Sequence, residues 1–181
     1  MSIPVLLANC CTSPRTWTTD IRNARPFRDN TAEAIYGGEV LEHFTAADGR
    51  RFLAECFRVI KPGGILRLRV PDNYRFWKKY VTEFERIHDR PPDQWSRQHE
   101  RWIEMFFRDI CVCNPRLKSM GHYHKWMYDE LTLTLAMQQA GFVDVERRGY
   151  HDSRISDVAL VETRDDLIME GVKPLPPRGG R

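Results

Sequence analysis

A helix, a tight turn and a strand follow one another between residues 45 and 72, and this run most constrains what the chain can fold into. Thr45 and Asp48 resemble a capping box, in which the hydroxyl and the carboxylate satisfy free N–H groups of the first helical turn. Apolar residues then recur at helical spacing and form one stripe: Phe52, Leu53, Cys56, Phe57 and Ile60. The Lys-Pro-Gly-Gly sequence at 61–64 ends the helix, because proline cannot continue it and glycine permits a positive φ.

Predicted strands lie on both sides of this helix. Residues 34–36 form a short strand that runs into Gly37 and Gly38. After the turn, residues 65–70 alternate, with apolar side chains on one side and two arginines on the other, and Pro71-Asp72 closes the strand. Strand, helix, turn and strand at this spacing make a βαβ unit. We therefore predict the α/β class with a parallel sheet.

The flanking segments add further elements. A mainly helical stretch is predicted over residues 73–110, and Asp129 is predicted to cap a helix that runs to Ala140, with Gly141 just past its end. Short apolar runs predict further strands, the last of which form a terminal antiparallel pair: 3–8, 17–21, 142–145, 159–161 and 167–172.

The length of 181 residues is typical of one domain with a single core. We predict one domain over residues 1–174, with a helical insertion or lid at 93–120 and a flexible tail at 175–181. The net charge of +3 comes from scattered basic residues, which argues against a nucleic-acid partner. No apolar run approaches the length that a bilayer span needs, so no membrane span is predicted.

Five cysteines, two of them adjacent at Cys10 and Cys11, give no disulfide framework. The Cys111 and Cys113 pair lacks a second pair at zinc-site spacing, which makes a zinc site a weak interpretation. Free thiols in a reducing cytosol are the better interpretation, and we predict a cytoplasmic protein without a metal.

An ordered set of short motifs resembles the second half of the class I S-adenosylmethionine (SAM)-dependent methyltransferase fold, closest to a small bacterial and phage branch associated with surface polysaccharides. In chain order the motifs begin with Asp20-Ile21-Arg22, include Val40-Leu41-Glu42-His43-Phe44 and the helix end at 58–64, and continue to Val70-Pro71-Asp72. The resemblance covers roughly residues 20–174. It implies a Rossmann-like, mostly parallel sheet with helices on both faces, and SAM as the cofactor.

Residues 37–43 follow the central strand, and ligands of such sheets collect outside the carboxyl ends of the strands. Gly37 and Gly38 would let a cofactor approach the backbone, and Glu39, Glu42 or His43 could face the pocket. The resemblance implies that this loop lies beside the methionine part of SAM. The alternative, that Glu42 and His43 only cap the following helix, stays open.

Two further candidates come from the resemblance. Asp20 matches the acid that accepts a hydrogen bond from the adenine amino group, with Ile21 offering its backbone; a loop-capping aspartate is the rival interpretation. Near Tyr123, His122 and His124 form the cluster most like a catalytic site in the second half of the chain. A neutral imidazole there could take a proton from a hydroxyl that attacks the methyl group. For His122 a structural role is favoured, and for His124 both roles stay open.

The family's N-terminal cofactor-binding part looks compressed. The counterpart of its glycine-rich loop is Ala8-Asn9-Cys10-Cys11, in which both glycines are replaced. Only eight residues separate Cys11 from Asp20, too few for a helix and a returning strand. Either the first helix and second strand are deleted, which we prefer, or Asp20 ends the second strand and the third is absent. A sheet trimmed in this way exposes an edge, which predicts a homodimer or a complete methyltransferase homologue across the first strand.

Two functions follow. The first is methyl transfer from SAM to a hydroxyl or amine of a glycan or small metabolite, with His43 or His124 as the base. The second is a catalytically inactive methyltransferase-fold module that binds or assembles with a partner, and the two replaced glycines favour it. Asp20, Glu42, His43 and the segment around His124 favour the first, which we prefer.

Overall fold

The structure is a computed structural model, and it describes residues 5–9, 27–95, 100–101, 103–104 and 124–177. In this part of the chain five strands form one sheet: β1 (Val5–Asn9), β2 (Ala32–Gly38), β3 (Ile60–Val70), β4 (Val143–Arg147) and β5 (Leu167–Val172). Their order across the sheet is β1-β2-β3-β5-β4. The helices are α1 (Ala46–Val59), α2 (Asn73–His88) and α3 (Glu130–Gln139), joined by short 3₁₀ turns.

The first three strands are parallel, and β5 runs antiparallel to both of its neighbours. The predicted α/β class, the mostly parallel sheet and the terminal antiparallel pair are therefore confirmed. Because β1, β2 and β3 point the same way, their carboxyl ends share one edge of the sheet. That edge carries Asn9, Gly38 and Arg69 in register.

The predicted cap of α1 is correct for Thr45, whose hydroxyl oxygen accepts the backbone N–H of Asp48 at 3.2 Å. The Asp48 carboxylate differs from the prediction. It accepts the Thr45 hydroxyl at 2.9 Å and the Arg51 guanidinium at 3.3 Å, so it orients the capping side chain rather than satisfying a second backbone N–H group.

The sequence predicts that the segment 61–64 separates α1 from the next strand, and this is wrong in detail. β3 begins directly at Ile60, and residues 61–64 form an irregularity inside the strand. The N–H of Gly63 donates to the Lys173 carbonyl at 2.8 Å, and the N–H of Lys173 donates to the Gly64 carbonyl at 2.9 Å. The backbone hydrogen bonds therefore continue through the turn, and Gly63 has the expected positive φ of 81°.

The main core lies on one face of the sheet. The apolar side chains of β3 (Leu66, Leu68 and Val70) pack there with Phe52 and Leu53 of α1 and with Leu133 and Met137 of α3. On the opposite face of the described sheet a loop with the 3₁₀ turn Val158–Leu160 covers a smaller cluster. The strand predicted at 159–161 is wrong, because the backbone there turns tightly instead of pairing.

Other predicted elements are confirmed. α2 occupies the start of the predicted helical stretch, and Asp129 caps α3 in a full capping box with Thr132. Gly141 follows α3 with φ 104°. The predicted strand at 17–21 and most of the predicted lid at 93–120 fall outside the described residues and stay predictions. No described helix combines the length and apolarity that crossing a bilayer would require.

The second face of β3 carries two buried arginines. The alternation of apolar and basic residues along the strand does not predict that these arginines are buried. Arg67 is fully buried, and its guanidinium contacts Glu162 and Glu170, each at 2.8 Å. It also donates to the carbonyls of Gly149 and Asp152. This network fixes residues 149–162 over the sheet.

We expect Arg67→Met to lower the free energy of unfolding by roughly 3–5 kcal/mol, because it removes the buried ion pair of Glu162 and leaves buried Glu170 only the longer contact with Arg148 at 3.8 Å as an ion pair. Urea denaturation followed by circular dichroism measures this. Lys61→Met is the matched control, since its ion pair with Glu33 is about half exposed and should change stability by less than about 1 kcal/mol. Equal effects of the two substitutions would contradict the structural role given to Arg67.

Candidate functional site

The segment 37–43 follows β2 at the carboxyl edge of the sheet, where the sequence placed it. Gly37 and Gly38 are the last residues of β2. Glu39 then takes a positive φ of 54°, and a 3₁₀ turn spans Leu41–His43. The chain thus reverses sharply at the edge, and Glu42 and His43 stay close to the strand ends.

The two glycines have a packing role in the described structure. A Cβ atom on Gly37 would lie 2.9 Å from Leu68 Cδ2, and one on Gly38 would lie 2.6 Å from the Tyr36 hydroxyl. Both contacts are too short for a larger residue unless the neighbouring side chain moves. Close approach of neighbouring side chains therefore explains these glycines, and contact with a cofactor stays a prediction.

Glu39 is held by two arginines. Its carboxylate lies 3.0 Å from the Arg164 guanidinium and 3.5 Å from that of Arg69, and its N–H donates to the Arg69 carbonyl at 2.9 Å. These contacts fix the strained residue that starts the loop. Arg69 itself is buried.

Glu42 is the least expected residue of the loop, because its side chain is only 2% exposed. Neither carboxylate oxygen has a hydrogen-bond partner within the described ranges. Burial raises the pKa of Glu42 to about 8, since the low-dielectric surroundings disfavour the charged form. The interpretation that Glu42 caps the next helix is not what the structure shows, because Thr45 makes that contact.

A second segment docks on this loop through the backbone. The carbonyl of Glu42 accepts the N–H of Lys125 at 2.8 Å and that of Trp126 at 3.2 Å. Two residues later, Tyr128 pairs with Asp72 at the end of β3, and its carbonyl accepts the N–H of Asn73 at 3.0 Å. The segment therefore bridges the ends of β2 and β3.

This docking brings the two candidate histidines together. The ring centroids of His43 and His124 lie 5.0 Å apart, with the ring planes at 66°. A carboxylate oxygen of Glu42 and one ring nitrogen of each histidine all lie within 4.8 Å of one another. The structure thus unites three predicted residues from two distant segments, and we call them the Glu42–His43–His124 cluster.

A cavity of about 240 Å³ opens beside the cluster. Glu42 and His124 line it together with the first turn of α2, including Phe76, and with Trp126 from the docked segment. Its lining is more apolar than polar. A small molecule that enters this cavity would lie next to His124 and Glu42.

Asp72 is a cavity residue that the site prediction missed. It caps α2 by accepting the N–H of Arg75 at 3.1 Å, and it pairs with Arg147 at 3.1 Å. The available signal was its position directly after β3, because residues that follow parallel strands gather at the same edge. The predicted candidates Asp20, Ile21, His122 and Tyr123 lie outside the described residues, as do Cys111 and Cys113.

The contact between Gly49 and Tyr128 offers a test of how the docked segment is seated. A Cβ atom on Gly49 would lie 2.8 Å from the Tyr128 hydroxyl, with Leu41 Cδ1 next at 3.5 Å. We expect Gly49→Ala to destabilise the protein by about 1–3 kcal/mol through overpacking. In a Tyr128→Phe background the same substitution should be neutral or stabilising by up to about 1 kcal/mol, because alanine favours the helix. A thermal-unfolding cycle that gave additive effects would contradict this seating.

Comparison with known proteins shows a likeness to methyltransferases. Residues 7–68, about a third of the chain, match a family described as a methyltransferase domain. A probable S-adenosylmethionine-dependent methyltransferase of Mycolicibacterium smegmatis is 31% identical over 75 residues, which cover 39% of this chain and 28% of that protein. One from Mycobacterium tuberculosis, Rv3030, is 27% identical over 103 residues, which cover 55% of this chain and 36% of that protein.

The chain therefore spans about a third of the length of these curated relatives. Among solved structures, an O-methyltransferase family protein from Burkholderia thailandensis aligns with a TM-score of 0.49 and 15% identity, over 89% of this chain and 36% of that one. The expected resemblance to methyltransferases is confirmed over residues 7–68, whereas the surface-polysaccharide branch and the shortened N-terminal part stay predictions. Over residues 7–68, which contain β2, α1 and the first two members of the Glu42–His43–His124 cluster, this chain is methyltransferase-like.

Proposed function

We propose that this chain acts as a SAM-dependent methyltransferase domain that methylates a hydroxyl or amine of a glycan or small metabolite. The observation that carries the proposal is the cavity at the carboxyl edge, which Glu42 and His124 line beside His43. The likeness to a methyltransferase domain over residues 7–68 supports the type of reaction.

The cavity formed by the described residues has room for the reacting end of the cofactor only. A cavity of about 240 Å³ lies below the roughly 300–1,000 Å³ of typical ligand pockets, so it suits an acceptor group and the reacting methyl group rather than all of SAM. The Glu42 oxygens are buried without hydrogen-bond partners in the described parts of the chain, and native proteins rarely leave such atoms unsatisfied. A bound polar ligand at this edge would satisfy them.

The proposed cofactor contacts come from the resemblance to methyltransferases. Gly37, Gly38 and Glu39 would lie beside the methionine part of SAM. Asp20 and the backbone of Ile21 would hold the adenine. Glu39 contributes by fixing the loop, because its carboxylate is already bound by Arg69 and Arg164.

In the reaction SAM supplies a methyl group on a positively charged sulfur. The cavity would position the acceptor oxygen or nitrogen beside that methyl group, which would pass to the acceptor as its bond to sulfur breaks and S-adenosylhomocysteine leaves; such positioning would be the main source of rate enhancement. His43 or His124 takes the proton of the acceptor as the new bond forms. The aromatic side chains of Phe76 and Trp126 offer apolar faces to a sugar ring or a small metabolite.

Calorimetric titration with SAM and with S-adenosylhomocysteine tests cofactor binding. We expect micromolar affinity, and Asp20→Asn should weaken it by about tenfold, because one charge-assisted hydrogen bond is lost. The control acid is Asp93, an exposed residue in the 3₁₀ turn Pro92–Gln94, and Asp93→Asn should leave the affinity unchanged. Absence of binding at millimolar ligand would refute the proposal and leave the inactive assembly module.

Transfer of labelled methyl groups from SAM to a panel of hexoses, hexosamines and small phenols tests turnover. Of the two variants His43→Asn and His124→Asn, the one that removes the base should lower the rate by at least about 100-fold. Its affinity for SAM should stay within a factor of about three. His88→Gln is the matched control, because His88 is exposed at the end of α2. Unchanged rates in both cluster variants would remove the histidines from the mechanism.

We also propose a cytoplasmic homodimer, or a complex with a complete methyltransferase homologue, joined across β1. Support comes from the sheet order, in which β1 is the outermost strand of the described sheet. An open strand edge offers unpaired backbone groups to another chain. Analytical ultracentrifugation at tens of micromolar should show a dimer, whereas a strict monomer that also fails to bind a homologue would contradict this assembly.

A further inference from the structure

We propose that the Glu42–His43–His124 cluster binds one divalent transition-metal ion, with zinc as the best match. The inference goes beyond the proposed function and does not depend on it, because cation binding requires neither SAM nor a methyl acceptor.

The ligand set has the right chemistry. Two imidazole nitrogens and one carboxylate oxygen are borderline ligands that suit zinc and the neighbouring transition metals, whereas magnesium and calcium prefer oxygen ligands alone. Three protein ligands are also the usual number for a metal site that keeps a position open. The imidazoles come from two segments that the Glu42 carbonyl already joins.

The geometry is close to that of a bound ion. The three ligand atoms lie within 4.8 Å of one another, and the Glu42 carboxylate is 3.9 Å from His43 Nε2. In a tetrahedral zinc site two ligands, each at about 2.1 Å from the metal, lie about 3.4 Å apart. The three ligand atoms must therefore approach one another by up to about 1.4 Å, a shift that side-chain rotations supply.

A second observation points to a ligand at the same place. Glu42 is 2% exposed, and both of its carboxylate oxygens are buried without a hydrogen-bond partner among the described residues. A carboxylate is costly to bury in this way unless a charge or a metal compensates it. A cation between the carboxylate and the two imidazoles supplies that compensation.

The site is also reachable. Glu42 and His124 line the cavity, while the side chain of His43 is 10% exposed. An ion held by the cluster would therefore lie next to the cavity, from which water or another ligand could reach it. With an ion bound, the ring nitrogens of the cluster would be ligands, so the proton transfer proposed for His43 or His124 applies to the metal-free protein.

Titration of chelator-treated protein with zinc chloride and with cobalt chloride tests the proposal. We expect one ion per chain and a cobalt absorption spectrum without sulfur-to-metal charge-transfer bands. Glu42→Gln and His124→Asn should each weaken zinc binding by about 100-fold or more, since even the loss of an outer-shell partner commonly costs 10–100-fold. Cys111→Ser/Cys113→Ser and His88→Gln should leave it unchanged.

Circular dichroism checks that each variant is folded, and the zinc-induced rise in melting temperature gives a second readout that needs no turnover. The rise should be present in the wild type and absent in Glu42→Gln. The proposal is overturned if zinc fails to bind at about 100 µM, or if the cysteine variant, rather than the cluster variants, abolishes binding. SAM titrations of the same proteins are independent, so the failure of one proposal is distinguishable from the failure of the other.

Discussion

Parallel pairing of β2 with β3 is the constraint on which the site depends. Because both strands point the same way, Gly38 and Arg69 reach the same edge in register, and the chain leaves β2 and β3 close together. Glu42 follows one strand and Asp72 the other, and both line the same cavity. The segment that carries His124 then contacts both of the segments that follow these strands. It binds the Glu42 carbonyl after β2, and its Tyr128 pairs with Asp72 after β3.

The two faces of β3 are stabilised by different interactions. On one face Leu66 and its neighbours pack against α1 and α3, an ordinary apolar core. On the other face Arg67 is buried, and its guanidinium donates hydrogen bonds to surrounding carboxylates and carbonyl oxygens. Burying such ions is costly, and the compensation depends on all partners being in place. Residues 149–162 are therefore held by geometry-sensitive contacts, whereas α1 and α3 are held by non-directional ones.

Local sequence patterns predict the central elements well, because each depends on neighbours in sequence. The α1 stripe, its Thr45 cap and the Asp129 capping box are of this kind. The burial of Arg67 and Arg69 is not predictable in the same way, since the side chains and carbonyls that hydrogen-bond to their guanidinium groups lie more than 80 residues away. The irregular start of β3 is missed for a related reason: residues 61–64 have the local pattern of a turn, but Lys173 supplies the hydrogen bonds that keep them in the strand.

The candidate site also has a part that local sequence predicts and a part that it does not. The position of Glu42 and His43 follows from the βαβ pattern, whereas their meeting with His124 depends on long-range backbone hydrogen bonds that no local pattern encodes.

Glu42 carries two duties at once: its carbonyl oxygen anchors the segment 124–126, and its carboxyl group belongs to the cluster. A ligand that shifts the carboxyl group of Glu42 therefore also strengthens or weakens the backbone hydrogen bonds to segment 124–126. By reciprocity, a displacement of that segment changes the affinity for the ligand. Glu42 thereby links ligand binding at the carboxyl edge of the sheet to the position of a segment about 80 residues later in the chain.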